Sequence, residues 1–222
     1  MRTAGLMLLF FAIAPAALPG RERERRGDPG KFDYYVLSLS WSPQFCASNG
    51  NGNKKSNEIQ CGAGRQYGFI VHGLWPQYER GFPQFCSTEA GPPRPLVDKM
   101  LDIMPAPGLI RHEWDRHGVC DGSNASQYFG KVRSAWSLVK IPEEYKQPIR
   151  QVMVKPLTMK RRFGETNGDA AGKSFAVQCG GNGGRFLTEV RVCLDRQLRY
   201  RACSAEVRDS CRVSEMIVPL IR

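Results

Sequence analysis

The stretch Phe32-Asp-Tyr-Tyr-Val-Leu-Ser-Leu-Ser-Trp41 puts Tyr35, Leu37, Leu39 and Trp41 on one face of a two-residue alternation. Apolar residues at that period mark a strand packed on a core. Working outward, residues 49–57 are rich in Asn, Gly and Lys and read as a surface loop. Residues 67–72 read as a second strand, leaving through Gly73-Leu-Trp-Pro76, which is expected to turn the chain sharply with His72 facing outward. Beyond Pro92-Pro93 the period changes. Leu96, Met100, Ile103 and Met104 form the buried stripe of a helix over 95–104. Residues 111–119 look helical, and Phe129, Val132, Trp136 and Val139 give another helix over 126–140. The last third returns to strands, at 174–179, 186–194 and 198–203, with a glycine-rich turn at 180–184. Helices cluster in the middle and strands flank them, so the class is α+β: an antiparallel sheet with helices packed on it. No internal repeat or second-domain linker interrupts residues 31–222, which suit a single domain.

Residues 1–20 have the plan of a secretory signal. Arg2 gives a positive start, Leu6 to Ala14 are apolar, and Ala14-Pro-Ala16 supplies the small residues of a cleavage site. That run is too short to span a bilayer and no later stretch suffices, so an exported protein without a membrane anchor is expected, periplasmic or extracellular. Residues 21–30, Arg21-Glu-Arg-Glu-Arg-Arg-Gly-Asp-Pro-Gly30, contain no apolar side chain and read as a disordered charged leader. The eight cysteines are an even set, and export makes structural disulfides the expectation. Zinc is disfavoured, because no Cys-x-x-Cys pair occurs. The whole chain carries +11; setting aside Arg2 and the leader, which hold five basic and three acidic residues, leaves +9 on the body. Such a surface attracts RNA, DNA, anionic glycans or anionic membranes alike, and charge alone selects none of them.

Selection comes from the three histidines, which sit in two short segments: Phe69-Ile-Val-His-Gly-Leu-Trp-Pro76 and His112-Glu-Trp-Asp-Arg-His-Gly-Val-Cys120. Imidazole is the side chain whose ordinary pKa places proton transfer near neutral pH. On a helix, with His112 at zero, Arg116 falls near ~40°, Glu113 near ~100° and His117 near ~140°. The four therefore share a sector, with Trp114 and Asp115 directed away and Trp114 available to anchor the helix. A metalloprotease motif needs histidines four apart, whereas His112 and His117 are five apart. Among the aromatics that follow His72, Trp75 is the candidate surface for stacking on a base.

Both segments resemble the active-site segments of the ribonuclease T(2) family, and Tyr35 to Cys46 is similar to that family's first strand. The resemblance covers residues 32–120 and implies metal-free, cofactor-free cleavage of single-stranded RNA through a 2′,3′-cyclic phosphate. By matching positions, it implies His117 as general base, His72 as general acid, Glu113 and Arg116 as transition-state stabilisers, and His112 as a phosphate ligand. It further implies the disulfides Cys46–Cys61, Cys86–Cys120, Cys179–Cys211 and Cys193–Cys203, the second tying the two segments together. RNA is then the partner of a monomer that needs no other protein.

Two positions depart from the pattern. Arg116 stands where the family usually has Lys, keeping the charge but adding a bidentate fork. Gln77 stands where some members have Asp, at a position linked to base preference, so broad cleavage is expected. DNA, lacking the 2′-OH, should resist. The competing class is a non-catalytic, exported RNA- or polyanion-binding protein on the same fold, and the presence of both His72 and His117 favours the enzyme. Asn124-Ala-Ser126 is a glycosylation sequon if the chain follows a eukaryotic secretory route.

Overall fold

The computed structural model describes residues 26–49, 58–169 and 172–221. The expected signal, the leader as far as residue 25 and the loop at 50–57 lie outside them. Strand β1 (Tyr34–Trp41) runs directly into α1 (Ser42–Ser48), and the short α2 (Glu58–Cys61) precedes β2 (Phe69–Gln77). Three helices follow: α3 (Arg94–Met100), α4 (Pro107–Arg116) and α5 (Ala125–Leu138). Then come β3 (Val152–Val154), α6 (Pro156–Thr166), β4 (Phe175–Gly180), β5 (Phe186–Leu194) and β6 (Met216–Val218). The fold is α+β.

Local chemistry sets the helix starts. A proline occupies the first turn of α1, α3, α4 and α6, where its missing N–H costs nothing. Helix α5 starts with a capping box: the Asn124 side chain accepts from the Gln127 amide while the Gln127 side chain accepts from the Asn124 amide.

The sheet order is β2-β1-β5-β6-β3, with β4 also paired to β5. The pairings are antiparallel, as expected, apart from one parallel contact of Phe186 of β5 with Ile217 of β6. Tyr35, Leu37, Leu39 and Trp41 face the main core, with Trp114, Tyr128, Phe129 and Phe163 in the same cluster. The other face of β1 is also covered in part, where Tyr34 and Val36 pack with Val207 and Ala176. Ser38, fully buried, and Ser40, partly exposed, continue that second face toward the end of the strand with small polar side chains.

Three sequence expectations need correction. The Gly-Leu-Trp-Pro segment does not turn; β2 continues through it to Gln77, and Pro76 is tolerated because β2 is an edge strand. What re-aims His72 is a bulge: Ser38 pairs with Gly73 and Leu39 with Val71, so His72 is the extra residue between them. Residues 198–203 form no strand, because Leu198 takes φ +61° and only an isolated Leu194–Tyr200 bridge remains. The leader, expected to be disordered through Gly30, is ordered from Arg26 onward. Arg26 exchanges backbone hydrogen bonds with Gln84 at 2.9 and 2.8 Å, and the Gly30 N–H donates to the Cys120 carbonyl at 2.9 Å.

All four disulfides form as the resemblance implied: Cys46–Cys61, Cys86–Cys120, Cys179–Cys211 and Cys193–Cys203. The second closes 34 residues of sequence between β2 and the turn after α4. Replacing Cys86 and Cys120 together by serine should lower stability by about 2–5 kcal/mol in urea unfolding. A loss no larger than that for the 10-residue Cys193–Cys203 loop would contradict this ranking.

Candidate active site

The bulge in β2 brings His72 over β1 toward β5, where its Nδ1 donates to Glu189 Oε1 at 2.7 Å. Its other nitrogen, Nε2, lies 3.7 Å from Glu113 Oε1. The His72 side chain stays 36% exposed, so a ligand can reach it. Glu113 is on α4 and only 1% exposed. Its Oε2 accepts a 2.6 Å hydrogen bond from the Trp75 indole N–H. Gly73 makes this approach possible, since a Cβ there would collide with both the Glu113 carboxyl and the Trp75 nitrogen.

Helix α4 ends at Arg116, and His117 is its C-cap, with its amide donating to the Glu113 carbonyl at 3.0 Å. The His117 ring is buried, 5.5 Å from the Trp75 ring and 6.3 Å from Phe82. Its Nδ1 has no hydrogen-bond partner among the described residues. Arg116 lies beside it, with its guanidinium 6.0 Å from the Phe82 ring centre. His112 is one turn earlier on α4 and exposed. The four motif residues thus form a wall with two depths, Glu113 and His117 deep, His112 and Arg116 outside. Trp114 is fully buried against Tyr128, and Gly118 is the residue whose missing side chain lets those two rings close on the turn. Across that turn the Phe85 amide donates to the Arg116 carbonyl at 2.9 Å beside the Cys86–Cys120 bridge.

Trp75, the candidate stacking surface, is half-buried. Its N–H is committed to Glu113, and its ring lies between the two imidazoles, 5.3 Å from His72 and 5.5 Å from His117. Gln77 sits at the end of β2, its side-chain amide turned back onto the Pro76 carbonyl. Sequence reading missed Glu189 and Arg191 on β5. Arg191 holds the second oxygen of Glu189 through Nε and Nη2, each at 3.1 Å, and its guanidinium lies 5.4 Å from the Trp75 ring centre. In sequence these two look like the solvent side of any strand.

Proton affinities diverge across the cleft. Burial, Arg116, His112 and His72 all push His117 down, to about 3. Burial also acts to lower His72, but the Glu189 hydrogen bond and the charges of Glu113 and Glu189 outweigh it, so its pKa is raised. Burial drives Glu113 up to about 7 against the pull of His72, Trp75 and Arg116. Burial would raise Glu189 too, yet its contacts with His72 and Arg191 hold it near 2. Groups this close titrate as a set. One imidazole is therefore held neutral, while the other is shifted toward its charged form. Among the described residues no group of three His, Cys, Asp or Glu side chains is arranged to hold a metal ion.

A disulfide-stapled α+β fold with paired imidazoles around a buried carboxyl, and guanidinium groups at the rim, is built for proton-coupled chemistry on an anionic substrate. Residues 32–203 match the model of the Ribonuclease T2 family, and the chain belongs to that family as an endoribonuclease. It is 33% identical to a ribonuclease of Aeromonas hydrophila over 209 residues, covering 90% of this chain and 91% of that protein. Ribonuclease I of Escherichia coli is 27% identical over 210 residues, covering 74% and 76%. Among solved structures, an RNase-related protein from Calystegia sepium superposes with a TM-score of 0.68 at 19% identity, covering 86% of this chain and 98% of that one. Ribonuclease MC1 from bitter gourd seeds gives 0.63 at 19% identity, covering 83% and 99%. At such identities the structures speak for the fold.

Gly73 offers a direct check of this geometry. Gly73→Ala should push Glu113 and Trp75 away, lowering kcat/KM on RNA by about 10²-fold and stability by about 1–3 kcal/mol through overpacking. An unchanged rate would contradict the tight packing of Gly73 on the carboxyl.

Proposed function

We propose that this endoribonuclease cleaves single-stranded RNA without a metal ion, by transesterification through a 2′,3′-cyclic phosphate to a 3′-phosphate end. The observation that carries the reading is the pair His72 and His117, set on either side of Trp75 with opposite proton affinities. RNA brings its own nucleophile, so no metal is required to make one. Neutral His117 takes the 2′-OH proton, and the 2′-oxygen attacks phosphorus. The P–O5′ bond breaks as His72 delivers its proton to the departing O5′. In the second step His72, now neutral, takes a proton from water. The resulting hydroxide opens the cyclic ester, and His117 returns its proton to the 2′-oxygen.

The phosphorane crowds negative charge onto two non-bridging oxygens, where preorganised donors act most strongly. Arg116 and His112 are the outer donors. Glu113, protonated below about 7, meets a phosphate oxygen with an O–H in place of a repelling charge. Trp75 acts by orienting Glu113 and separating the imidazoles. With the Gln77 side chain folded onto its own backbone, base recognition at that position is weak and cleavage is broad.

Four disulfides, and the signal-like residues 1–20, support an exported enzyme acting in the periplasm or outside the cell. No described helix is long and apolar enough to cross a membrane.

Digestion of single-stranded RNA in excess EDTA, with product ends identified over time, tests the mechanism. The expected result is full activity, with 2′,3′-cyclic phosphates appearing first and 3′-phosphates accumulating later. Loss of activity on chelation, or 5′-phosphate ends, would overturn it.

A further inference from the structure

We propose that Glu189 is a positioning residue for His72, holding Nδ1 and turning the imidazole so that Nε2 faces the substrate. This deepens the reading of His72 as the general acid and rests on it.

The geometry comes from the sheet. His72 belongs to β2 and Glu189 to β5, with β1 lying between them. Contact across an intervening strand requires two devices. The bulge leaves His72 without a partner residue on β1. The β1 residues opposite Arg191 and Glu189 are Ser38 and Ser40, small enough for an imidazole to pass over them. The result is the 2.7 Å contact between His72 Nδ1 and Glu189 Oε1.

Glu189 is itself fixed. Arg191 holds its other oxygen twice at 3.1 Å, and Arg191 in turn lies over Trp75. A carboxylate can only accept from an imidazole, so this bond assigns the Nδ1 proton and leaves Nε2 as the atom that delivers or receives a proton. The other charged groups facing His72 are Glu113 from α4 at 3.7 Å, Arg191 from β5 and, beyond Trp75, His117. Glu113 is buried and held by Trp75, and it changes charge near neutral pH. Glu189 stays ionised throughout, so it is the steady partner of the two.

The test separates positioning from mere support by varying the leaving group. Uridylyl-3′,5′-adenosine needs a proton on its departing alkoxide; uridine 3′-(4-nitrophenyl phosphate) leaves as a stable phenolate and does not. Glu189→Gln should lower kcat/KM on the dinucleotide about 10–100-fold, part of the 10²–10⁴ that a positioned acid supplies, and spare the aryl ester. It should also move the alkaline limb of the pH profile to lower pH. The sign follows from the charge: without the carboxylate, imidazolium is less favoured and loses its proton earlier. Glu189→Asp should recover part of both effects.

His72→Ala is the reference. If it loses the dinucleotide selectively while Glu189→Gln loses both substrates equally, or neither, with an unmoved alkaline limb, the role of Glu189 is overturned and that of His72 stands. If His72→Ala loses both substrates alike, the acid assignment fails and Glu189's role falls with it. Should Glu189→Gln not fold, Glu189→Asp decides: an unshifted limb and equal rates on both substrates would overturn the proposal.

Discussion

A carboxyl group buried where α4 meets β2 organises this molecule. Glu113 is taken almost wholly out of water, with the His72 nitrogen 3.7 Å away and the Trp75 N–H in direct contact. Burying such a group is costly unless it is protonated or matched by donors. The surroundings supply the match. Gly73 lacks the side chain that would block the approach, and Trp75 turns its only polar atom to the carboxyl. On the far side of α4, Trp114 locks the helix into the core against Tyr128, and Gly118 and the Cys86–Cys120 bridge hold the turn that follows. Most of what distinguishes the two histidine segments in sequence serves this one contact.

The same burial creates the division of labour between the histidines. His117 is enclosed among His72, His112 and Arg116, so a proton on its ring is opposed by cations as well as by desolvation. His72, though only partly withdrawn from water, lies between two carboxyl groups, and their pull prevails. One fold thus gives two identical side chains opposite tendencies, the arrangement that general acid–base chemistry needs at a single pH. Arg191 extends the network from β5 to Trp75. Strand β5 is therefore part of the site, which explains how a sheet and a helix far apart in sequence come to share one cleft.

How much of this was legible in the sequence follows from the range of each interaction. The alternation of Tyr35, Leu37, Leu39 and Trp41 is local, and those four residues do face the core. The segment from His112 to His117 is local too, and helix periodicity brought its four functional residues together. Periodicity could not say that α4 stops at Arg116, nor that Glu113 would be deep while His112 stays exposed. The bulge at His72 depends on pairing with β1, so Gly-Leu-Trp-Pro was misread as a turn. Glu189 and Arg191 were missed because their role arises only when β5 is laid beside β1, with 117 residues separating Glu189 from His72. Helix α6 was missed because only Met159, Phe163 and Gly164 of it are buried, too few to outweigh its basic run Lys160-Arg-Arg162. Ordering of residues 26–30 likewise depends on distant partners, Gln84 and Cys120.

His72 and His117, one on either side of Trp75, must both reach a single scissile phosphate. A crystal structure of the protein with 2′-deoxyuridylyl-3′,5′-adenosine tests this central claim most directly, because that dinucleotide lacks the attacking hydroxyl and persists uncleaved. The expected result places the phosphate beside Trp75 within reach of both His72 Nε2 and the His117 ring, with non-bridging oxygens toward Arg116 and Glu113. A phosphate seated elsewhere on the basic surface, with both imidazoles out of reach of it, would contradict the claim.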